Sequence, residues 1–157
     1  MQTAIFAAGC FWGVQFYFDQ VPGVGGSEVG YIGGTKDDPT YDQVCHEGTG
    51  HAEAVKLTFD PEVVSYDTLL RQFFRMHDPT QLNRQGPDVG DQYRSAIFPI
   101  DDAQKQVAET TIEQLKSKSK IVTTIESGIF WPAEDYHQKY TERTGRGMCH
   151  IPYAPIS

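Results

Sequence analysis

The fold is decided by residues 3–13, which read Thr3-Ala4-Ile5-Phe6-Ala7-Ala8-Gly9-Cys10-Phe11-Trp12-Gly13. The apolar run 3–8 is typical of a buried strand, and the large side chains of 11–19 predict a helix directly after it. Cys10 then lies at the turn into the helix. Backbone N–H groups and the positive end of the helix dipole lower the pKa of a thiol there, and the thiolate is the reactive form. The alternative is a buried structural cysteine.

The length and composition of the chain limit the classes of protein to which it can belong. A chain of 157 residues is long enough for one domain with a buried core, so residues 1–157 are expected to form a single domain whose last part, about 141–157, is a mobile tail.

The net charge is −8, from 13 basic and 21 acidic residues, without a basic cluster. This argues against nucleic acid and anionic membranes as partners. No apolar run approaches the roughly 18 residues of a membrane span. Nothing in the sequence indicates an oligomer, so a monomer is expected.

Cysteine usage and the N-terminus indicate the compartment. Ala7-Ala8-Gly9-Cys10 resembles a lipoprotein cleavage box, but no Lys or Arg precedes it and the apolar stretch is short. We therefore expect no signal peptide and a cytoplasmic protein. The three cysteines are an odd number, which does not suit a secreted disulfide framework.

The remaining segments mix strands and helices without a regular βαβ repeat, which favours an α+β, two-layer sandwich of helices on one sheet. The pattern predicts strands over 24–32, 52–59, 93–99 and 121–126. It predicts helices after caps at Ser65 and Asp101, one helical turn over 41–46, a last helix from Pro132 to about Tyr140, and an irregular tail. The polar stretch 77–92 is predicted to be a long functional loop.

Strand parity draws attention to Glu53. Val55, Leu57 and Phe59 suit the core face of their strand, and Glu53 shares their parity. A carboxyl turned inward has a raised pKa and becomes a candidate proton donor near neutral pH. The alternatives are exposure at the rim of the sheet or pairing with a buried arginine.

Other candidates lie in loops and in the tail. Tyr41 and Tyr93 supply hydroxyl donors if they converge with Glu53 near Cys10; otherwise each is an ordinary amphipathic tyrosine. Cys149 lies in a glycine-flanked tail and is the natural partner thiol for Cys10, or else a bystander. Cys45 is expected to be packed or inert.

A zinc site is a weaker possibility. Cysteines and histidines are available for it, but the sequence contains no Cys-x-x-Cys and no histidine pair at helical spacing. We therefore predict no metal; the residues considered are Cys45, His46, His51, Cys149 and His150.

Six blocks of the sequence together resemble the A-type peptide methionine sulfoxide reductases, which act on the S epimer at sulfur. The blocks occur in family order over nearly the whole chain, and the first is highly specific. They are Gly9-Cys10-Phe11-Trp12-Gly13, residues 29–34, residues 41–45, residues 50–55, residues 77–95 and residues 132–138. The resemblance implies a mixed sheet with a ferredoxin-like plait core, covered by helices.

The resemblance also implies roles for individual residues. Cys10 would attack the sulfoxide sulfur, Glu53 would protonate the sulfoxide oxygen, and Tyr41 and Tyr93 would donate hydrogen bonds to it. The substrate's S-methyl group would be enclosed by Phe11 and Trp12, and Asp88 would hold polar groups or the substrate backbone. Cys149 would resolve the sulfenic acid on Cys10 into a disulfide that thioredoxin reduces, without a cofactor.

Two other functions stay open on the residues alone. A thiol peroxidase also passes through a sulfenic acid, but it needs no aromatic pocket for a methyl group. A zinc- or redox-sensing binding protein would instead use the cysteines and histidines considered above.

Overall fold

Apolar segments of the chain pair into a central sheet. The structure is a computed structural model that describes residues 1–147 and residue 151. In this part of the chain the strands are β1 (Gln2–Ala8), β2 (Val24–Ile32), β3 (Ala52–Phe59), β4 (Arg84–Gln85), β5 (Asp88–Val89), β6 (Ser95–Ile97), β7 (Thr124–Ile125) and β8 (Trp131–Pro132). Six of them form one sheet in the order β7-β6-β1-β3-β2-β8, while β4 and β5 form a separate hairpin.

Five α-helices are described in the same residues. They are α1 (Phe11–Asp19), α2 (Tyr41–His46), α3 (Tyr66–Met76), α4 (Asp102–Lys116) and α5 (Tyr140–Thr144). The predicted caps at Ser65 and Asp101 are confirmed, because their side chains accept hydrogen bonds from the backbone N–H groups of Thr68 and Gln104. In residues 1–147 and 151, no helix is both long and apolar enough to cross a membrane.

The sheet is mixed and contains a ferredoxin-like plait. Strands β1, β2, β3 and β6, with crossovers through α1 and α3, stand in the spatial order β6-β1-β3-β2 and pair antiparallel. Strand β7 joins the edge at β6 in parallel, and β8 pairs antiparallel with β2. The predicted α+β class, mixed sheet and plait core are confirmed.

Alternating side chains divide the sheet into two faces. One face packs, through residues such as Phe6, Val55 and Leu57, against α1, α3 and α4. The other face carries small side chains, Ala7, Ala54 and Ala96 among them, and Phe130 packs over it. The helical layer thus lies on the face to which Glu53 was predicted to point.

Two strand predictions were too long, and one loop contains more structure than expected. Residues 91–93 form a turn of 3-10 helix, so β6 begins at Ser95 and not at Tyr93. In the stretch 121–126 only β7 pairs, and the polar stretch 77–92 contains the β4–β5 hairpin. Local patterns missed the hairpin because each of its strands has two residues.

The predicted helix from Pro132 to Tyr140 is wrong. Pro132 pairs with Gly30 at the sheet edge, residues 135–137 form one 3-10 turn, and α5 begins only at Tyr140. The reason is a set of contacts with distant parts of the chain. The Gln138 side chain bonds both the N–H and the C=O of Val29, each at 2.9 Å, and these bonds outweigh the local helical preference.

Candidate active site

Cys10 lies where the sequence placed it, at the turn between β1 and α1. It occupies the N-cap position of α1, and only 8% of the residue is exposed. Gly9, just before it, has φ = +94°, a conformation that favours glycine and lets the chain turn sharply out of the strand. The sulfur therefore stands near the positive end of the α1 dipole.

Glu53 is turned inward, as strand parity predicted. It is 1% exposed and shares its face of β3 with Val55 and Leu57. Its Oε1 accepts a hydrogen bond from the backbone N–H of Phe11 at 3.3 Å. Because Phe11 is the first residue of α1, this bond places the carboxyl beside Cys10. Exposure at the rim of the sheet is thereby excluded.

Tyr41, at the start of α2, and Tyr93, at the end of the 3-10 turn 91–93, come to the same place. Burial raises the pKa of Tyr41, and the negative charge of Glu53 raises it further. Burial and the charge of Glu53 likewise raise the pKa of Tyr93, with smaller effects from Cys45, Asp88 and Cys10. Both hydroxyls therefore keep their protons at neutral pH and can donate hydrogen bonds.

The β4–β5 hairpin brings Asp88 to this cluster. Gly90 closes the hairpin stem, since its N–H donates to the C=O of Asn83 at 2.9 Å. Asp88 Oδ2 is buried and has no hydrogen-bond partner within the described residues. A buried carboxylate oxygen in that state is suited to accept a bond from a ligand N–H.

Cys45 lies closer to the cluster than the sequence indicated. Burial raises the pKa of its thiol, although side-chain hydrogen bonds with Tyr41 and Gln92 act in the opposite direction. A raised pKa reduces the thiolate fraction and with it the nucleophilicity of the group. Cys45 is half-buried and stands beside both site tyrosines, and its being packed or inert stays a prediction.

Aromatic rings line the site next to Cys10. Phe11 is fully buried, with its ring centroid 5.7 Å from that of Tyr31 and 5.2 Å from that of His137. Trp12 is half-buried and stacks on Tyr140 with ring centroids 4.0 Å apart. The Trp12 Nε1–H donates to His137 Nδ1 at 2.9 Å.

Sequence reasoning missed two supporting residues, Glu134 and His137. Glu134 Oε1 accepts from the Tyr31 hydroxyl and Oε2 from the Tyr41 backbone N–H, both at 2.9 Å. Burial favours a raised pKa for Glu134, but these bonds prevail and hold the pKa below its usual value. Burial lowers the pKa of His137, against a smaller raising effect of Glu134. The sequence did contain a signal for these two residues, because 132–138 matches a block of the family. The predicted helix over the same segment drew attention away from it.

Of the remaining residues considered in the sequence analysis, some lie outside the described part of the chain and the others lie within it. Cys149 and His150 lie outside the described residues. His51 uses both ring nitrogens on main-chain groups: Nδ1 accepts from Gly34 N–H at 3.1 Å, and Nε2 lies 2.6 Å from the Lys36 carbonyl oxygen. Among the described residues, no group of three or more His, Cys, Asp and Glu side chains is arranged to hold a metal ion.

Comparison with known proteins shows the family to which the chain belongs. The family model described as "Peptide methionine sulfoxide reductase" matches residues 2–157. The peptide methionine sulfoxide reductase MsrA of Methanothermobacter thermautotrophicus is 50% identical over 155 residues, which cover 96% of this chain and 92% of that protein. The chain therefore belongs to the peptide methionine sulfoxide reductase family, in its A-type (MsrA) branch.

Solved structures show the same fold. Methionine sulfoxide reductase A of Corynebacterium diphtheriae superposes with a TM-score of 0.82 at 32% identity, covering 96% of this chain and 82% of that one. Mxr1 of Saccharomyces cerevisiae in complex with Trx2 superposes with a TM-score of 0.59 at 28% identity, covering 88% and 84% of the two chains.

Proposed function

We propose that this protein reduces the S epimer of methionine sulfoxide, free or in proteins, to methionine, and that thioredoxin regenerates it. Such an enzyme repairs oxidised proteins. The observation that carries the proposal is the buried Glu53 carboxyl beside Cys10, at the N-terminus of α1. Membership of the family indicates the reaction, and the positions of the site residues are the basis for the role assigned to each side chain.

The first step moves oxygen from one sulfur to another. The Cys10 thiolate attacks the sulfoxide sulfur and forms an S–S bond. The protonated oxygen then transfers to the Cys10 sulfur while the S–O and S–S bonds to the substrate break, so the substrate sulfur gains two electrons and leaves as the methionine thioether. Cys10 loses two electrons and takes the oxygen as a sulfenic acid, the first reversible stage of cysteine oxidation. The helix dipole and the nearby N–H groups favour the thiolate that begins the attack.

Proton donation to the sulfoxide oxygen is the role we assign to Glu53. Oxygen leaves sulfur poorly until it is protonated, so a donor must meet it where negative charge develops. A carboxyl that is 1% exposed loses most of its hydration, which favours its protonated form. Tyr41 and Tyr93 would each donate a hydrogen bond from the hydroxyl group to the same oxygen, since burial raises the pKa of both hydroxyls.

Substrate recognition would use the aromatic wall and Asp88. We assign Phe11 and Trp12 to the S-methyl group, because they directly follow Cys10 at the start of α1 and offer a fully buried and a half-buried aromatic ring. The buried Asp88 Oδ2 would accept a bond from a backbone N–H or amino group of the substrate.

Regeneration would use Cys149. Its thiol attacks the Cys10 sulfenic acid, water leaves, and a disulfide forms that thioredoxin reduces by exchange. One described neighbour in the chain, Gly147, supports this assignment. A Cβ on Gly147 would lie 3.0 Å from Trp12 Cε3, so the tail passes against the site, and Cys149 follows two residues later, within roughly 7 Å of chain. Yeast Mxr1 has been solved with Trx2, which makes thioredoxin the expected reductant here.

The test is steady-state turnover on the separated S and R epimers of a methionine sulfoxide peptide, with thioredoxin, thioredoxin reductase and NADPH. We expect thioredoxin-dependent methionine formation from the S epimer and none above background from the R epimer. Equal turnover of both epimers, or turnover of the R epimer alone, would overturn the assignment.

A further inference from the structure

The β4–β5 hairpin is anchored to the rest of the protein through β4 and the turn. The buried Gln85 side chain accepts a hydrogen bond from the N–H of Asp78 at 3.0 Å and donates one to its C=O at 2.7 Å. The N–H of Gly86, in the turn, donates to Gln81 Oε1 at 2.8 Å. Strand β5 forms the opposite side of the hairpin, and its Val89 is 71% exposed.

The pairing within the hairpin decides where the main chain of β5 points. Arg84 lies opposite Val89, and in the neighbouring pair the N–H of Gly90 donates to the C=O of Asn83 at 2.9 Å. In antiparallel strands, pairs that exchange hydrogen bonds alternate with pairs that do not. Because Asn83 and Gly90 are bonded, Arg84 and Val89 are not. The N–H and the C=O of Val89 therefore point away from β4, toward the outer edge of the hairpin.

The same strand reaches the active site through Asp88. Successive side chains of a strand point to opposite faces, so Asp88, with its buried Oδ2, and the exposed Val89 face opposite sides. The pKa of Tyr93, raised mainly by burial, is raised further by Asp88, which lies nearby. A residue opposite Asp88 on an added strand would turn its side chain to the face of Asp88, and so toward the site.

We propose that the outer edge of β5 binds the peptide segment that precedes a methionine sulfoxide, as an added antiparallel strand. The inference rests on the proposed function and names the class of substrate that the site takes best, a methionine sulfoxide within an extended, unfolded segment. The residue before the sulfoxide would exchange two hydrogen bonds with the main chain of Val89. The methionine sulfoxide itself would then lie opposite Asp88.

The chemistry of this edge favours a substrate segment over a second copy of the chain. A strand of two residues with one outward-facing main-chain pair offers far less than the roughly 1,200 Å² that a stable protein–protein interface buries. It is enough to add to the contacts that a bound substrate already makes in the site. Main-chain bonds provide the affinity in this mode of recognition, and they do not depend on the sequence of the segment. That suits an enzyme that repairs many different proteins.

N-methylated substrates test these bonds with the wild-type enzyme. The reference is a capped pentapeptide with the S epimer of methionine sulfoxide at its centre. A methyl group on the nitrogen of the residue before the sulfoxide removes the donor to the Val89 C=O, and kcat/KM should fall about 10-fold. The same methyl group one residue earlier is the matched control: that N–H points away from β5, so kcat/KM should stay within about 2-fold. Equal losses at both positions, or no loss at the first, would overturn the inference.

Two variants of Val89 test the same bonds from the side of the protein. Val89→Pro removes the N–H without removing a bond to β4, whereas Val89→Ala keeps both main-chain groups and shortens only the side chain. The ratio of kcat/KM for the pentapeptide to that for free methionine sulfoxide should fall about 10-fold in the proline variant and stay within about 3-fold of wild type in the alanine variant. A ratio that proline leaves unchanged, or that both variants lose equally, would contradict the inference.

A binding measurement separates this inference from the proposed function. Cys10→Ser is titrated with the pentapeptide while the backbone amides are followed by ¹⁵N NMR. The Val89 amide proton should shift downfield with the pentapeptide and stay in place with free methionine sulfoxide.

The outcomes of the titration are distinct. An unmoved Val89 amide would overturn the inference, while sulfoxide reduction by the wild type would still support the proposed function. A shifted Val89 amide without any sulfoxide reduction by the wild type would overturn the proposed function and support peptide binding at β5. A Val89 shift that follows protein concentration without peptide would assign the edge to a second copy of the chain and overturn the inference.

Discussion

At the scale of single residues, the site depends on where one carboxyl points. Glu53 shares the strand parity of Val55 and Leu57 and is buried with them, which the alternation of the sequence predicted correctly. What the sequence could not supply is the partner of that carboxyl. The Phe11 N–H lies 42 residues away in the chain and reaches Glu53 only because β1 and β3 pair in one particular register.

Glu53→Gln is the substitution that tests the proton donor. The amide oxygen can still accept the bond from Phe11 N–H, but the amide is a far weaker acid than the carboxyl. We expect the single-turnover rate of methionine formation to fall by about 10²- to 10⁴-fold, with little change in substrate affinity. Rapid-quench measurement at saturating substrate checks this.

The matched control is Glu28→Gln. Glu28 is an exposed carboxyl on β2 that pairs with Lys56 at 3.8 Å, so its substitution should leave the rate unchanged. A Glu53→Gln enzyme that turns over at the wild-type rate would remove Glu53 from the chemistry.

At the scale of elements, the sequence predicted correctly those helices, strands and caps that local signals determine. Helix α1 has the bounds expected from its run of large side chains, and strand β3 has those expected from alternation. The caps of α3 and α4 are the predicted ones. The segment 131–144 was mispredicted because its conformation follows from bonds to distant groups, such as Gln138 to Val29 and Glu134 to Tyr41. For the same reason the supporting roles of Glu134 and His137 leave no local pattern.

An ion pair holds the junction between the 3-10 turn that contains Tyr93 and strand β6. It joins this junction to the segment after β7. Arg94 donates to both carboxylate oxygens of Glu126, at 2.8 and 2.9 Å, just beyond β7. Burial favours a raised pKa for Glu126, but the bonds from Arg94 and Thr124 prevail and hold the pKa below its usual value. The pair is mostly shielded from solvent, so it should contribute more than a surface ion pair does.

Glu126→Gln should lower the free energy of unfolding by about 1–3 kcal/mol at pH 7. Because the pKa of Glu126 is lower in the folded than in the unfolded state, its contribution is present above the unfolded pKa of about 4.3 and is lost as pH falls through the folded pKa. The difference between wild type and variant should therefore shrink below about pH 4. Urea denaturation at pH 7 and at acid pH measures it.

Arg71→Gln provides the comparison for this prediction. It removes an exposed ion pair with Asp67 on α3 and should change the stability at pH 7 by less than about 0.5 kcal/mol. A difference between wild type and Glu126→Gln that grows at acid pH would contradict the sign given to Glu126.

At the scale of the whole molecule, the plait joins groups that lie far apart in the sequence. Strands β1 and β3 place Cys10 beside Glu53, and residues 84–93 bring Asp88 and Tyr93 to them. The segment after β8 closes over Trp12 and leads into the tail. The family resemblance in the sequence predicted this convergence, whereas the layer of supporting contacts behind it emerged only from the structure.

The central claim is that oxygen passes from the substrate to Cys10 and that Cys149 removes it. The most direct measurement is a single turnover by Cys149→Ser with the S epimer of a methionine sulfoxide peptide, followed by trapping with dimedone and mass spectrometry. We expect one equivalent of methionine, a dimedone adduct on Cys10, no further turnover with thioredoxin, and no methionine from Cys10→Ser. Methionine formation by Cys10→Ser, or an adduct on Cys45 in place of Cys10, would contradict the account.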